Sequence, residues 1–443
     1  MPGRRWYIAG ASLLILMFAV PHVWSKAGTE TGRSDTTIRV GLLRSFRNAK
    51  RATVTVTSAY SVLKTGSTDK LASYTSLAPV TVQIANSSLS LAPKTGAAFS
   101  VGSSVTIAPT DPSATINIDS PGLQSRRYRG TIEITLQSSS LLVVNVLGLE
   151  DYLPGVLVGE MPSSFPEEAL KSQAVAARCY TLCSRHKHES AGFNVCDSVH
   201  CQVFDGCLRE TPQVAHAVAA TRGQVLTYKG EIASVMYHGD CGGATQCYSD
   251  VYRQGDYPYL CGVEEPAGVP CSTWEKSYKP ADLAARLLAG GVKEAAGLES
   301  VAVTKTSTSG RALEIEITGA KASTVVSGSR LRTALGAGII KSTLFTIETA
   351  TDGVITFSGK GHGHGIGMCQ IGAKGLASAP FNYTYAQILD HYFPGTTLSP
   401  ITAASATTTP KECPSPTARQ KPLPSTKSDS TTPLAVRVLE PKL

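Results

Sequence analysis

Several familiar catalytic patterns are missing from this chain. It has no G-x-S-x-G elbow, no H-E-x-x-H pair and no Walker loop, which removes common serine-hydrolase, zinc-protease and nucleotide-handling designs. None of its eleven cysteines are spaced C-x-x-C, so a dithiol redox motif or zinc ribbon is disfavoured, and none precedes Cys179. Charged residues make up only 17%, and although the net charge is +8, no basic run is interleaved with aromatics. Nucleic-acid binding is therefore disfavoured, while contact with anionic polymers is favoured. The apolar run at residues 6–20 is shorter than the roughly 20 residues that span a bilayer. With Arg4 and Arg5 before it and Pro21, Ser25 and Ala27 after it, residues 1–27 read as a cleaved signal peptide, with a retained anchor as the alternative. Either reading exports the rest of the chain to the cell envelope and confines membrane contact to this segment.

What is present suffices for a sizeable core: 443 residues, 42% of them hydrophobic, could make two or three units of ordinary size. Residues 36–145 carry short Val/Ile/Thr-rich segments such as ATVTVTS, VTVQI and SVTIAP, separated by Ser, Gly, Asn and Pro. They predict a β-rich module partly continuous with the region after it. Residues 146–400 mix a long helix, a second one at 211–220, the hairpin GQVLTYKGEIASVMYHG, the helix PADLAARLLAG and several strands. Without a regular βαβ alternation, this indicates an α+β fold. Residues 401–443, rich in Thr, Ser, Pro and Lys, read as a disordered tail.

Residues 149–182, LEDYLPGVLVGEMPSSFPEEALKSQAVAARCYTL, organise the rest. They read as a strand, a turn carrying Glu160, and a helix whose start is marked by Pro166 and by Ser164 and Glu167 at capping-box spacing. Leu170, Ala174 and Ala177 form one buried stripe, and Lys171, Val175, Arg178 and Leu182 another face carrying two cations. Glu160, at the mouth of that helix, is a candidate acid or base; a solvated turn residue is the plain alternative. Downstream, His186, His188, Cys196, His200 and Cys201 crowd one short segment. They suit a tetrahedral zinc ion, or else disulfides beside exposed histidines. Cys241 with Cys247, or Cys261 with Cys271, would close short loops. In GKGHGHGIGMCQIGAKG the glycines permit close backbone approach, and an extended segment would point His362 and His364 to one side.

Four blocks in order carry a resemblance: LEDYLPGV with GEMP and ALKSQAVAARCY, YHGDCGGAT at 237–245, VSGSRLRTALG at 326–336, and GHGHGIGMCQIGAKGLA at 361–377. Together they closely resemble the stage II sporulation protein D family, the SpoIID/LytB domain of bacterial cell-wall proteins, over residues 37–397. The resemblance implies a SpoIID-like catalytic region with a long helix following a catalytic Glu. It implies a peptidoglycan lytic transglycosylase that cuts the β-1,4 bond between N-acetylmuramic acid and N-acetylglucosamine in peptide-free strands. The products would carry 1,6-anhydro ends, and the setting would be cell-wall remodelling or sporulation. The alternative is a non-catalytic peptidoglycan-binding enhancer of a cell-wall amidase. Carried onto this chain, the resemblance makes Glu160 the acid and base, with Arg178 touching substrate or oxyanion. Lys171, Tyr180, His238, His364 and Gln370 would bind substrate. A structural zinc would rest on Cys196, His200 and Cys201, with His188 as fourth ligand. Two departures stand out: Cys369 occupies a usual serine position, and no histidine lies near Ala244.

Overall fold

The computed structural model describes residues 36–252 and 257–402. The expected signal segment and nearly all of the expected tail lie outside them. Alternation dictates the first part: every second side chain is buried in Arg51–Val56, and Val105 with Ile107 and Ile132 with Ile134 alternate likewise with half-buried neighbours in Ser104–Pro109 and Thr131–Gln137, as strands with one covered face require. A seven-stranded sheet runs, in spatial order, Val195–Cys196, Thr37–Gly41, Ser140–Gly148, Thr131–Gln137, Ser104–Pro109, Tyr60–Lys64 and Lys70–Tyr74. A six-stranded sheet is built around Arg51–Val56 and Val80–Ala85. Val54, Val82, Ile107 and Ile134 from the two sheets share one core. Thr37–Gly41 pairs antiparallel with Ser140–Gly148 and parallel with Val195–Cys196, which joins the β-rich stretch to the region after it.

The described residues form eight α-helices: α1 Leu149–Glu160, α2 Glu167–Cys183, α3 Pro212–Ala220, α4 Tyr248–Val251, α5 Pro280–Ala289, α6 Gly328–Leu335, α7 Gln370–Leu376 and α8 Tyr385–Tyr392. Many strands beside these helices, in several sheets, make the fold mixed α+β.

The expected strand and turn before Glu160 give way to α1, with Glu160 its last residue. Leu149, Tyr152, Leu153, Val156 and Leu157 recur at helical spacing and are all buried. That burial outweighs Pro154 and the two glycines. The expected capping box is also absent: α2 begins after Pro166 with no side-chain cap. Burial surrounds α2 instead of favouring one stripe, and takes in Ser172, Gln173, Arg178 and Thr181. Ser172 and Thr181 satisfy their hydroxyls on the Ala169 and Ala177 carbonyls one turn back.

A second core, including Trp274, Leu283, Ile315, Leu331 and Phe357, belongs to the inserted segment between α4 and the Gly-His-Gly block. It is covered by the sheets Thr273–Tyr278/Ile355–Lys360/Phe345–Thr349 and Leu298–Thr306/Ala312–Gly319/Ser323–Ser327. Ile366, Met368 and Cys369 then rejoin the first core.

Candidate functional site

Glu160 ends α1 with its carboxylate turned inward. The Val203 N–H donates to its Oε1 at 2.6 Å, and the Gln370 side chain is its second hydrogen-bond partner. Glycines make this approach possible. A Cβ on Gly155 would meet the Phe204 ring at 2.5 Å, and one on Gly159 would meet the Val203 carbonyl at 2.6 Å. These two glycines, one turn apart, let residues 203–206 lie directly on α1. Burial pushes the Glu160 carboxyl up to about 7, against the opposing pull of Val203, Gln370 and the nearby Arg44. Its place at a helix C-terminus, where the backbone dipole disfavours an anion, works in the same upward direction.

Behind the carboxylate lies a buried polar network. Gln202 accepts from Thr181 at 2.7 Å and from the Tyr152 hydroxyl at 3.3 Å, and donates to the Tyr237 hydroxyl at 2.9 Å. Burial and the Glu160 carboxylate both push the Tyr237 phenol upward, so it stays neutral. Gln370 reaches Gln173 at 3.4 Å, and the Gln173 Nε2 is buried with no acceptor among the described residues. The sequence pattern does not single out Gln173, Gln202 or Val203, whereas Tyr237 stands in the YHGDCGGAT block. A glutamine inside an otherwise apolar stretch of α2 was the legible signal for Gln173; Val203 contributes only its backbone and left none.

The metal-type residues converge. One donor atom each from His188, Cys196, His200 and Cys201 lies within 4.8 Å of the others. His188 Nε2 is 3.3 Å from the Cys201 sulfur, and His200 Nδ1 is 3.6 Å from Cys201 and 3.7 Å from Cys196. A tetrahedral ion with bonds of about 2.0–2.3 Å has donor–donor edges of roughly 3.3–3.8 Å, so the quartet fits zinc. A proton shared by the two sulfurs, with His200 and Ser198 assisting, draws the Cys196 thiol down and pushes Cys201 up. Burial lowers His188, keeping it neutral as a ligand must be. Asp197, inside the loop, accepts from the Arg44 and Ser45 backbone N–H groups and the Ser45 hydroxyl, tying the cluster to the turn that follows Thr37–Gly41. Cys201 is followed at once by Gln202 and Val203, so the loop sets the group that holds Glu160.

Other expected contacts are placed differently. Arg178 is fully buried, with two guanidinium nitrogens each 2.8 Å from Glu150 and a third donating to the Gln224 carbonyl at 3.0 Å. It locks α1 to α2 instead of facing a ligand. Lys171 pairs with Glu167 at 2.7 Å and Glu168 at 2.9 Å on the surface of α2. Tyr180 is buried against Tyr237. The Gly-His-Gly segment is not extended, since Gly361, Gly363, Gly365 and Gly367 all have positive φ. His362 is exposed, whereas His364 accepts from the Ile366 N–H and donates to the Tyr237 carbonyl, so backbone occupies both ring nitrogens. Burial holds His364 down at about 4. His238 is 5% exposed, its Nδ1 on the Ile366 carbonyl and its Nε2 enclosed without a partner among the described residues. Of the expected substrate contacts, Gln370 hydrogen-bonds Glu160. Cys241 and Cys247 are not bonded to each other: Cys241 faces Cys369, and the Cys247 sulfur accepts the Gly262 N–H.

A scan against family models matches residues 137–228 to the stage II sporulation protein model, and residues 248–367 to a domain of unknown function. The first match covers α1, α2 and the metal-type loop; the second covers most of the inserted segment. The chain is 33% identical over 275 residues to an uncharacterized protein of Brachyspira hyodysenteriae, covering 62% of this chain and 72% of that one. It is 30% identical over 273 residues to stage II sporulation protein D of Bacillus subtilis, covering 58% of this chain and 76% of that one. It is also 32% identical over 296 residues to the amidase enhancer of Bacillus subtilis, of whose length it spans only 40%. The chain belongs to the stage II sporulation protein D family.

Proposed function

We propose that this protein is an exported peptidoglycan lytic transglycosylase acting on peptide-free glycan strands, with Glu160 as its acid and base. The observation that carries this reading is a largely buried carboxyl pushed up to about 7, held by Val203 and Gln370. Neither partner is an acid. Glycosidases that place water at the sugar use two carboxyl groups. One suffices when the muramic acid's own C6 hydroxyl is the nucleophile. Protonated Glu160 gives its proton to the leaving glycosidic oxygen as the C1–O bond breaks. The resulting carboxylate then takes the proton from the C6 hydroxyl as its oxygen bonds to C1, leaving a 1,6-anhydro end and regenerating the acid. A group near neutrality serves both half-steps, and such catalysis is typically worth about 10²–10⁴ in rate.

His188, Cys196, His200 and Cys201 would hold zinc. Four protein donors leave no open position, so the ion would brace the loop and supply no reactive water. The site's own residues do the positioning: Val203 fixes one carboxylate oxygen, and Gln370, backed by Gln173, orients the carboxyl from the opposite element.

The likeness to an amidase enhancer supports a second reading, in which the chain binds glycan strands and stimulates a cell-wall amidase without cutting them. Mass spectrometry of products from peptide-free strands separates the two. Wild type yields anhydro-muramic ends and Glu160→Gln yields none. Strands that co-sediment uncut with both proteins would establish the binder instead.

A further inference from the structure

Behind the Gly-His-Gly wall, two cysteines 128 positions apart meet. The short strands Tyr237–His238 and Met368–Cys369 pair in parallel, with His238 opposite Cys369. The Cys241 N–H, in the turn just beyond, donates to the Cys369 sulfur at 3.1 Å. The Gly372 N–H donates to the same sulfur at 3.1 Å, and the Gly243 N–H to the Cys241 sulfur at 3.4 Å. The two sulfurs and an Asp240 oxygen lie within 4.8 Å of one another, and both cysteines are 1% exposed.

Three donors so close could be taken for a second metal site, but Arg311 argues otherwise. Its guanidinium is fully buried and donates to the Cys241 and Ala244 carbonyls, while its Nε and Nη1 find no acceptor among the described residues. A dication placed beside this under-neutralised cation would be strongly repelled. Asp240 is also engaged: one oxygen accepts the Gly242 N–H and the other accepts both the N–H and the hydroxyl of Ser272. A bond between the sulfurs adds no charge and displaces neither set of contacts.

We propose that Cys241 and Cys369 are joined by a disulfide in an oxidising compartment, and that this cross-link fixes the wall carrying Gln370. The proposal rests on the export reading only for its oxidant, a disulfide-carrying oxidoreductase or a small disulfide. A thiolate of the pair attacks that disulfide, expelling one thiolate and forming a mixed disulfide. The second cysteine then displaces the other thiolate, so two protons and two electrons pass from the pair to the oxidant. Because both sulfurs are enclosed, exchange takes place before the wall closes during folding. The linked loop is long, so the constraint on the unfolded chain is large.

The test uses the full chain refolded with oxidised glutathione, then unfolded in denaturant, alkylated and digested without reduction. We expect a peptide containing Cys241 bonded to one containing Cys369. Reductant should lower the unfolding midpoint by roughly 5–10 °C. Cys369→Ser should lower it similarly and abolish this reductant sensitivity, whereas the exposed Cys271→Ser should leave it intact. Alkylation of both cysteines in the refolded wild type, with an unfolding midpoint indifferent to reductant, would overturn the proposal. So would a bound metal ion lost specifically in Cys369→Ser. Peptide map and midpoint do not depend on glycan cleavage, so this idea and the transglycosylase reading fail separately.

Discussion

The Glu160 carboxyl shows how one side chain couples stability to chemistry. Its folded-state value, about 7, lies above that of an unfolded glutamate, so the native state holds an extra proton at intermediate pH. Wild-type stability relative to Glu160→Gln therefore falls as pH rises from about 4.5 to 7 and is level beyond. Denaturant titrations should find the two proteins alike at pH 4. At pH 8 the glutamine variant should be more stable by about 1–3 kcal/mol. Initial rates should fall as pH rises through about 7, because first proton donation requires the acid form. Arg178 makes the opposite case. Truncating it to alanine strands the Glu150 carboxylate and should cost about 3–5 kcal/mol in stability. Activity per folded molecule, measured at low temperature, should change far less than in Glu160→Gln; a loss as complete as that variant's would restore Arg178 to the chemistry.

The elements explain what the sequence made legible and what it hid. Glu167–Cys183 is free of helix breakers, and its helix is found where the pattern predicts it. Leu149–Glu160 contains Pro154, Gly155 and Gly159, which suggest a turn when read one by one. Its buried leucines and valines nevertheless keep a helical period, and the glycines serve close packing against residues 203–206. Arg178 misleads because a cation on a mostly apolar face looks like a ligand group until its partner, Glu150 on α1, is known. The Gly-His-Gly block misleads differently: four positive-φ glycines break the strand alternation, leaving one histidine half-buried and the other exposed. The Cys/His loop is legible as a cluster, although only the fold brings His188 onto Cys201. We predict that purified protein binds one zinc by metal analysis and that Cys201→Ser binds none. Its activity should fall by at least tenfold, because the loop no longer fixes the Val203 N–H. Full activity in a metal-free variant would detach the loop from the site.

At the scale of the molecule, the two cores have different standing. The first is shared by the β-rich module and the region around Glu160: α1 and α2 pack against the same cluster as the two large sheets, and Thr37–Gly41 sits between strands from both. Composition reveals the β-rich stretch, but long-range pairing, invisible to local pattern, makes it inseparable from the region around α1 and α2. A fragment of residues 36–145 should therefore aggregate or remain without cooperative unfolding by circular dichroism. A stable monomeric fragment would contradict a shared core. The second core lies wholly in the inserted segment. The central claim is that the nucleophile belongs to the sugar and a single carboxyl moves its proton. The most direct measurement is the mass of the new muramic end formed by wild-type protein in water labelled with heavy oxygen. The account predicts an anhydro end without label; a reducing end that carries the heavy oxygen would mean that water attacks, and would contradict it.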